Sequence, residues 1–183
     1  MIWGDKKIIR KIFRKRNIVN GNLAMVNPAS VNLCLGYSFL IPKLEQGVSL
    51  GDKMDYEKHV CSSIEVFPLM PNEFCLATTM EKVIMPPNTA AFVQGRSSIG
   101  RIGLTVQNAG FVDPGFEGHI TLELVNESPV TIYLKPGYPI AQLVYFDTSD
   151  VKDPYHGKYN GQIEATGSRM YQDKEKYGTD III

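Results

Sequence analysis

Gly118-His119-Ile120-Thr121-Leu122-Glu123-Leu124-Val125-Asn126 alternates with a period of two. His119, Thr121, Glu123 and Val125 face one way and Ile120, Leu122 and Leu124 the other, the pattern of a half-buried strand. Immediately before it, Asn108-Ala109-Gly110-Phe111-Val112-Asp113-Pro114-Gly115-Phe116 is a turn rich in glycine and acid. Further upstream, Gly95-Arg96-Ser97-Ser98-Ile99-Gly100-Arg101-Ile102-Gly103 packs two arginines, two adjacent serines and three glycines into nine positions. A strand-like run at 90–94 leads into that stretch, so Arg-Ser-Ser reads as a turn entering a short helix capped by a serine. Unpaired N–H groups there, beside arginines, make a seat for an anion, above all a phosphate.

Outward from this centre, short apolar segments at 37–41, 63–67 and 73–78 are separated by Pro, Gly, Asn or Asp, and 130–134 and 140–146 add two more. Val31, Leu33 and Leu35 alternate with Asn32 and Cys34, which predicts a half-buried strand at 31–36. Lys135-Pro136-Gly137-Tyr138-Pro139 turns the chain into its last strand. Many short strands with frequent turns argue for a mainly β sandwich or barrel rather than alternating β and α units. Residues 43–58 are the most polar stretch and read as a surface loop or hairpin. The best helix is at 5–16, with Asp5 as its cap and Ile8, Ile9, Ile12 and Phe13 on one face; its basic side chains read as a solvated surface. Beyond Asp147 the chain is polar, aromatic and glycine-rich, either a mobile tail over 150–183 or a lid that orders over a ligand, with Lys158, Tyr159 and Gln162 as phosphate partners.

The 183 residues fit one domain with a substantial core. Lys plus Arg and Asp plus Glu balance at 19 each, so no global field points to nucleic acid or to an anionic membrane surface. No apolar run reaches the roughly 18 residues needed to cross a bilayer, and no signal peptide is apparent. Cys34, Cys61 and Cys75 are an odd, scattered set, so no disulfide framework is expected and a reducing cytoplasm is the default.

Several chemistries lack their residues. A zinc deaminase needs a His/Cys-x-Glu element and a Pro-Cys-x-x-Cys element, and neither pattern of cysteines is present. Ser97 and Ser98 do not sit in a Gly-x-Ser-x-Gly elbow, and no Gly-x-x-x-x-Gly-Lys-Ser/Thr loop occurs. What remains is phosphate binding plus carboxylate chemistry. A glutamate on a strand is most often solvent-facing, yet Glu123 lies downstream of the phosphate seat, where a carboxylate can activate water and shuttle a proton.

Gly95-Arg96-Ser97-Ser98-x-x-Arg101-x-Gly103-Leu104 followed by Asp113-Pro114-Gly115-Phe116-x-Gly118-x-Ile120-Thr121-Leu122-Glu123-Leu124-x-Asn126 closely resembles the dCTP deaminases, relatives of the trimeric dUTPases. Pro28-Ala29-Ser30-Val31, Leu33-x-Leu35-Gly36, Pro136-Gly137, Ile140-x-Gln142-Leu143 and Lys158-Tyr159 with Gln162 extend the likeness over nearly all of the chain except roughly 43–62. The resemblance implies a distorted β-barrel or jelly-roll-like dUTPase-type fold with an N-terminal helix and a few short helices, one domain over 1–183, assembled as a homotrimer with active sites between subunits. It implies zinc-free deamination in which Glu123 handles water and protons at the cytosine ring, with Ser97 and Arg101 holding water and triphosphate. By the same likeness Arg96 and Ser98 bind phosphate, Asn108 and Ala109 meet the base, Asp113 lies against the deoxyribose, and Gln142 touches sugar or phosphate. Lys158, Tyr159 and Gln162 close over the phosphates; Mg²⁺ is held mainly by triphosphate and water, and dTTP is a candidate inhibitor.

Ala109-Gly110-Phe111-Val112-Asp113 resembles the bifunctional branch, which carries dCTP through to dUMP and pyrophosphate, rather than the Ala-His-Arg of enzymes that stop at dUTP. A small residue at Gly110 leaves room for a second water beside the sugar and phosphates. Asn32 and Cys34 stand where the family has Asp and Arg, and Gln107-Asn108 where many members have a longer His-x-Thr segment. Three readings are therefore carried forward: a deaminase–diphosphatase (or a deaminase that stops at dUTP), a hydrolase of dUTP alone, and a weakly catalytic nucleotide-binding signalling protein.

Overall fold

The computed structural model describes residues 1–43, 47–107 and 110–173. Its strands in chain order are β1 (Ile18–Val19), β2 (Val26–Asn27), β3 (Ser30–Pro42), β4 (Tyr56–Val60), β5 (Phe67–Leu69), β6 (Phe74–Ile84), β7 (Thr89–Gly95), β8 (Leu104–Gln107), β9 (Phe111–Val112), β10 (Glu117–Asn126), β11 (Ile132–Leu134) and β12 (Pro139–Asp147). The main sheet runs β8-β10-β6-β3-β12-β7-β9, with β1 beside β6 and β2 and β4 beside β3, while β5 and β11 form a separate pair. Every pairing is antiparallel, as expected of short strands joined by turns. The sheet curls on itself: a Cβ on Gly95, at the end of β7, would stand 3.3 Å from the Val106 side chain on β8. The result is the mainly β, curled-barrel architecture expected from the sequence.

The core fills the inside of this curl. Leu122 and Leu124 of β10, Leu33 and Leu35 of β3, and Leu143 and Tyr145 of β12 are buried in it, and Phe39 stacks on Phe67 at 4.4 Å. At about 25 cal/mol per Å² of apolar surface, each such leucine contributes roughly 2 kcal/mol of transfer free energy.

Three local expectations are corrected. The strand expected at 31–36 runs on to Pro42, and Cys34 is buried as well as its alternating neighbours. The extension is possible because β3 changes partners midway, from β12 at Val31–Cys34 to β6 at Leu35–Leu40. At the changeover Gly36 passes so close to β6 that a Cβ would lie 2.6 Å from Thr78 Cγ2. The N-terminal helix is capped by Gly4, not Asp5, which is already helical and turns its carboxylate to the Lys6 N–H at 2.6 Å. This helix, α1 (Asp5–Ile8), passes into wider turns with Arg14 N–H on Ile9 O at 3.0 Å and Asn17 N–H on Ile12 O at 2.8 Å. Ile8 and Ile12 are buried as the apolar stripe requires. In α2 (Ser97–Gly100) the cap is Arg96, so the serines are the first helical residues rather than the cap.

The hairpin expected within 43–58 places β4 against the far end of β3. Residues 150–173 do not trail away from the barrel as a free tail. They form a strap along β10: Tyr155 N–H donates to Pro114 O at 2.7 Å, Gly161 N–H to Glu117 O at 2.7 Å, and His119 N–H to Gln162 O at 2.9 Å.

Candidate active site

Antiparallel register places one row of side chains across five strands. Lys58 of β4 pairs with Leu40 of β3, Leu40 with Leu76 of β6, Leu76 with Glu123 of β10, and Glu123 with Gln107 of β8. Directly paired residues point to the same face of a sheet. This row lies on the face opposite Leu122 and Leu124, so the period-two reading of β10 holds. Glu123 is half-buried, and no hydrogen bond to its carboxylate or to the Gln107 amide is made among the described residues.

Over three members of the row, Leu76, Glu123 and Gln107, opens a cleft of about 630 Å³, a size suited to one small ligand. Glu123 and Gln107 line it together with Gly110, Phe111 and Asp113 of the turn before β10. Tyr155, Tyr159, Gln162 and Thr166 of the strap line it as well. Gln162 is fixed by its amide, which donates to His119 O at 2.6 Å. Tyr159 is fixed by its hydroxyl, which accepts the Arg169 N–H at 3.0 Å. Thus Glu123, Asp113, Tyr159 and Gln162, four residues singled out in the sequence, converge on one cavity.

Others do not converge on it within one chain. Arg96, Ser97, Ser98 and Arg101 are not among the residues lining the cleft. The reason is register: α2 delivers the chain into β8 at Leu104, opposite Asn126, whereas Glu123 sits opposite Gln107. Three residues of strand put these ends about 10 Å apart. Ser97, Ser98 and Arg101 are exposed there, and Arg96 donates from Nη1 to Pro139 O at 2.9 Å. The first two N–H groups of α2, those of Ser97 and Ser98, take no acceptor among the described residues, as expected at a helix start. Gln142 lies on β12 and accepts the Ser30 hydroxyl at 3.2 Å, beside an Asn27–Asn32 hydrogen bond of 3.0 Å. Lys158 pairs with Asp173, whose carboxylate keeps the ammonium above its ordinary titration range. Asn108 and Ala109 lie outside the described residues.

The second departure from the family pattern also has a structural setting. Cys34 N–H donates to Glu81 Oε2 at 2.9 Å, and Glu81 is only 3% exposed. Burial first, then the neighbouring Glu81 carboxyl, pushes the Cys34 thiol up to about 12. Burial likewise raises the Glu81 carboxyl above the usual carboxylate range, against the opposing Cys34 hydrogen bond.

Gln107, Thr121, Tyr155 and Tyr56 also line the cleft, although none was assigned a role from the sequence. Thr121 was within reach of the period-two reading, since it shares the Glu123 face. Gln107 could be placed only by knowing the β8–β10 register. Tyr56 carries no local signal, because it reaches the cleft through a hairpin and a long-range pairing.

A family model described as dCTP deaminase-like matches residues 2–148. The chain belongs to that family. Among its relatives, a protein of Persephonella marina described as a dUMP-forming dCTP deaminase is 40% identical over 182 residues, 96% of this chain and 100% of its own length. A protein of Sulfurihydrogenibium sp. with the same description is also 40% identical over 182 residues, again 96% of this chain and all of the relative. Among solved structures, the 2'-deoxycytidine 5'-triphosphate deaminase of Agrobacterium tumefaciens superposes with a TM-score of 0.63 at 19% identity, which is a likeness of fold. That match covers 79% of this chain, and the chain spans about half of the larger protein, 47%.

Proposed function

We propose that this protein is a dUMP-forming dCTP deaminase, a hydrolase that converts dCTP to dUMP without zinc. The observation that carries the reading is the half-buried Glu123 carboxylate on the floor of a nucleotide-sized cleft, free of protein partners among the described residues, in a chain of this family. Full-length relatives described as dUMP-forming support the second half of the reaction.

In this reading Glu123 takes a proton from water as the oxygen bonds to C4 of the cytosine ring. The carboxyl passes that proton to N3, then carries a second proton from the added hydroxyl to the amino nitrogen. The C4–N bond breaks, ammonia leaves and a uracil carbonyl remains. A second water then attacks the α-phosphorus, breaking its bond to the bridging oxygen and releasing pyrophosphate with dUMP. Gly110 lines the cleft with no side chain, leaving space for that water. Asp113 at the cleft wall meets the deoxyribose, while Tyr159 and Gln162 cover the phosphates from the strap.

Arg96, Ser97, Ser98 and Arg101 form a phosphate-binding and water-holding group that completes the cleft of a neighbouring copy in a homotrimer. The exposure of Ser97, Ser98 and Arg101 on and beside α2, away from the cleft of their own chain, favours this arrangement. Mg²⁺ would be held mainly by triphosphate oxygens and water and would neutralise phosphate charge. dTTP is placed as a competing inhibitor of the same cleft, and the cytoplasm as the site of action.

The test is direct. Purified protein incubated with Mg²⁺ and either dCTP or dUTP is resolved by chromatography, with ammonia followed in parallel. Expected are ammonia, pyrophosphate and dUMP from dCTP without accumulation of dUTP. Glu123→Gln keeps the shape and removes the base, so it lowers ammonia release by about 10²–10⁴-fold while leaving nucleotide binding within a few-fold. Unchanged deamination in that variant removes Glu123 from the mechanism. Turnover of dUTP with inert dCTP selects the dUTP hydrolase instead, and dUTP as the end product selects the enzyme that stops after deamination.

A further inference from the structure

We propose that Tyr56, in the hairpin segment that carries none of the family motifs, is a positioning residue that latches the strap over the cleft. Tyr56 opens β4 and lines the cleft. Its hydroxyl accepts the Ser168 N–H at 3.0 Å and points its own hydrogen toward Met54 Sδ at 3.9 Å. Its ring packs on Leu40, Leu76 and Ala165, a small apolar cluster outside the main core, so strap and sheet share a seat. Gly167 lies flat against the ring: a Cβ there would stand 2.8 Å from Tyr56 Cδ2, which only glycine avoids.

Two further contacts fix the same short segment. Lys58, two residues along β4, pairs with Glu164, and Thr166 N–H donates to Thr121 Oγ1 at 3.1 Å. The bond from Tyr56 to Ser168 is followed at the next residue by the Arg169 N–H on the Tyr159 hydroxyl. Tyr56 therefore sets residues 167–169, and these set Tyr159 at the cleft. The hydroxyl of Tyr56 touches no reacting atom. It acts through the strap, and the consequence for turnover rests on the reading that Tyr159 and Gln162 hold the nucleotide.

Tyr56→Phe deletes the hydroxyl and keeps the ring, and Gly167→Ala attacks the same contact from the strap. Both are compared with the unaltered protein by limited trypsin digestion without nucleotide, with cleavage after Lys158 and Arg169 read by mass spectrometry, and by steady-state kinetics with dCTP. Loss of one hydrogen bond of about 1 kcal/mol predicts roughly five-fold faster cleavage in Tyr56→Phe, and the steric clash in Gly167→Ala predicts a larger rise. KM for dCTP rises several-fold in both while kcat falls less than two-fold, the split expected when only the placing of binding groups is loosened. The double variant adds little to Gly167→Ala, because both act on one contact. Unchanged cleavage in both single variants, or faster cleavage with an unmoved KM, overturns the latch. If the unaltered protein turns over neither dCTP nor dUTP, the nucleotide reading falls, and the cleavage result by itself then decides whether Tyr56 holds the strap.

Discussion

Gln107→Glu tests the geometry around Glu123 through its electrostatics. The two residues are direct cross-strand partners on one face, so their Cβ atoms stand about 5 Å apart. A second carboxylate at that distance, half in solvent with an effective dielectric of about 40, repels the first by roughly 332/(40 × 5), or about 1.7 kcal/mol. At 1.36 kcal/mol per unit this is about one pH unit. The pair then holds its last proton to higher pH, so the acidic limb of the pH profile of kcat/KM for dCTP moves up by about one unit. The limb is measured by ammonia release between pH 4 and 8 at fixed ionic strength, with Gln107→Met as the uncharged control. Raising salt to about 1 M shrinks the displacement, because the site is open to solvent. An acidic limb that stays in place in Gln107→Glu refutes the reasoning: either Glu123 does not set it, or the two side chains do not face each other.

If α2 of one copy completes the cleft of another, mixing inactive Glu123→Gln with inactive Arg101→Ala and allowing subunits to exchange restores about a quarter of wild-type turnover, the random share of intact sites, whereas sites built within one chain give none. Glu81, whose folded carboxyl is raised by burial, holds its proton more tightly when folded than when unfolded. Its contribution is therefore fully present below the ordinary value of 4.5 and is lost as pH rises through the folded value. The gain in urea midpoint from Glu81→Gln should grow between pH 4.5 and 7; a gain independent of pH would rule out titration of Glu81 as its source.

The sequence was most legible where local period and global role agree. The alternation around Glu123 named both its face and its strand, because β10 has one side on the core and the other on the cleft. The same rule stopped β3 short at Gly36, since a strand that changes partners buries both faces and loses the alternation. The caps expected from side-chain chemistry, Asp5 in one helix and a serine of the Ser97-Ser98 pair in the other, are already helical, and Gly4 and Arg96 have the extended backbone that precedes the first helical turn. The strap could not be told from a loose tail by composition, because its order comes from backbone bonds to Pro114, Glu117 and His119 and from a glycine-sized gap at Tyr56. That α2 and Glu123 belong to different ends of β8 is a matter of register, which no motif encodes.

The placement of β3 between β6 and β12 also constrains how the molecule comes into being. Ser30 meets Gln142 across 112 positions, so one flank of β3 must wait until almost the entire barrel has been synthesised. Closing so long a loop carries an entropic cost before any pairing offsets it, and such topologies fold slowly. Until β12 arrives, an apolar strand stands with a bare ladder edge, a template for a second nascent chain. Lowering the level of expression, and with it the number of unfinished chains present together, should therefore raise the yield of soluble protein more than any change at the cleft.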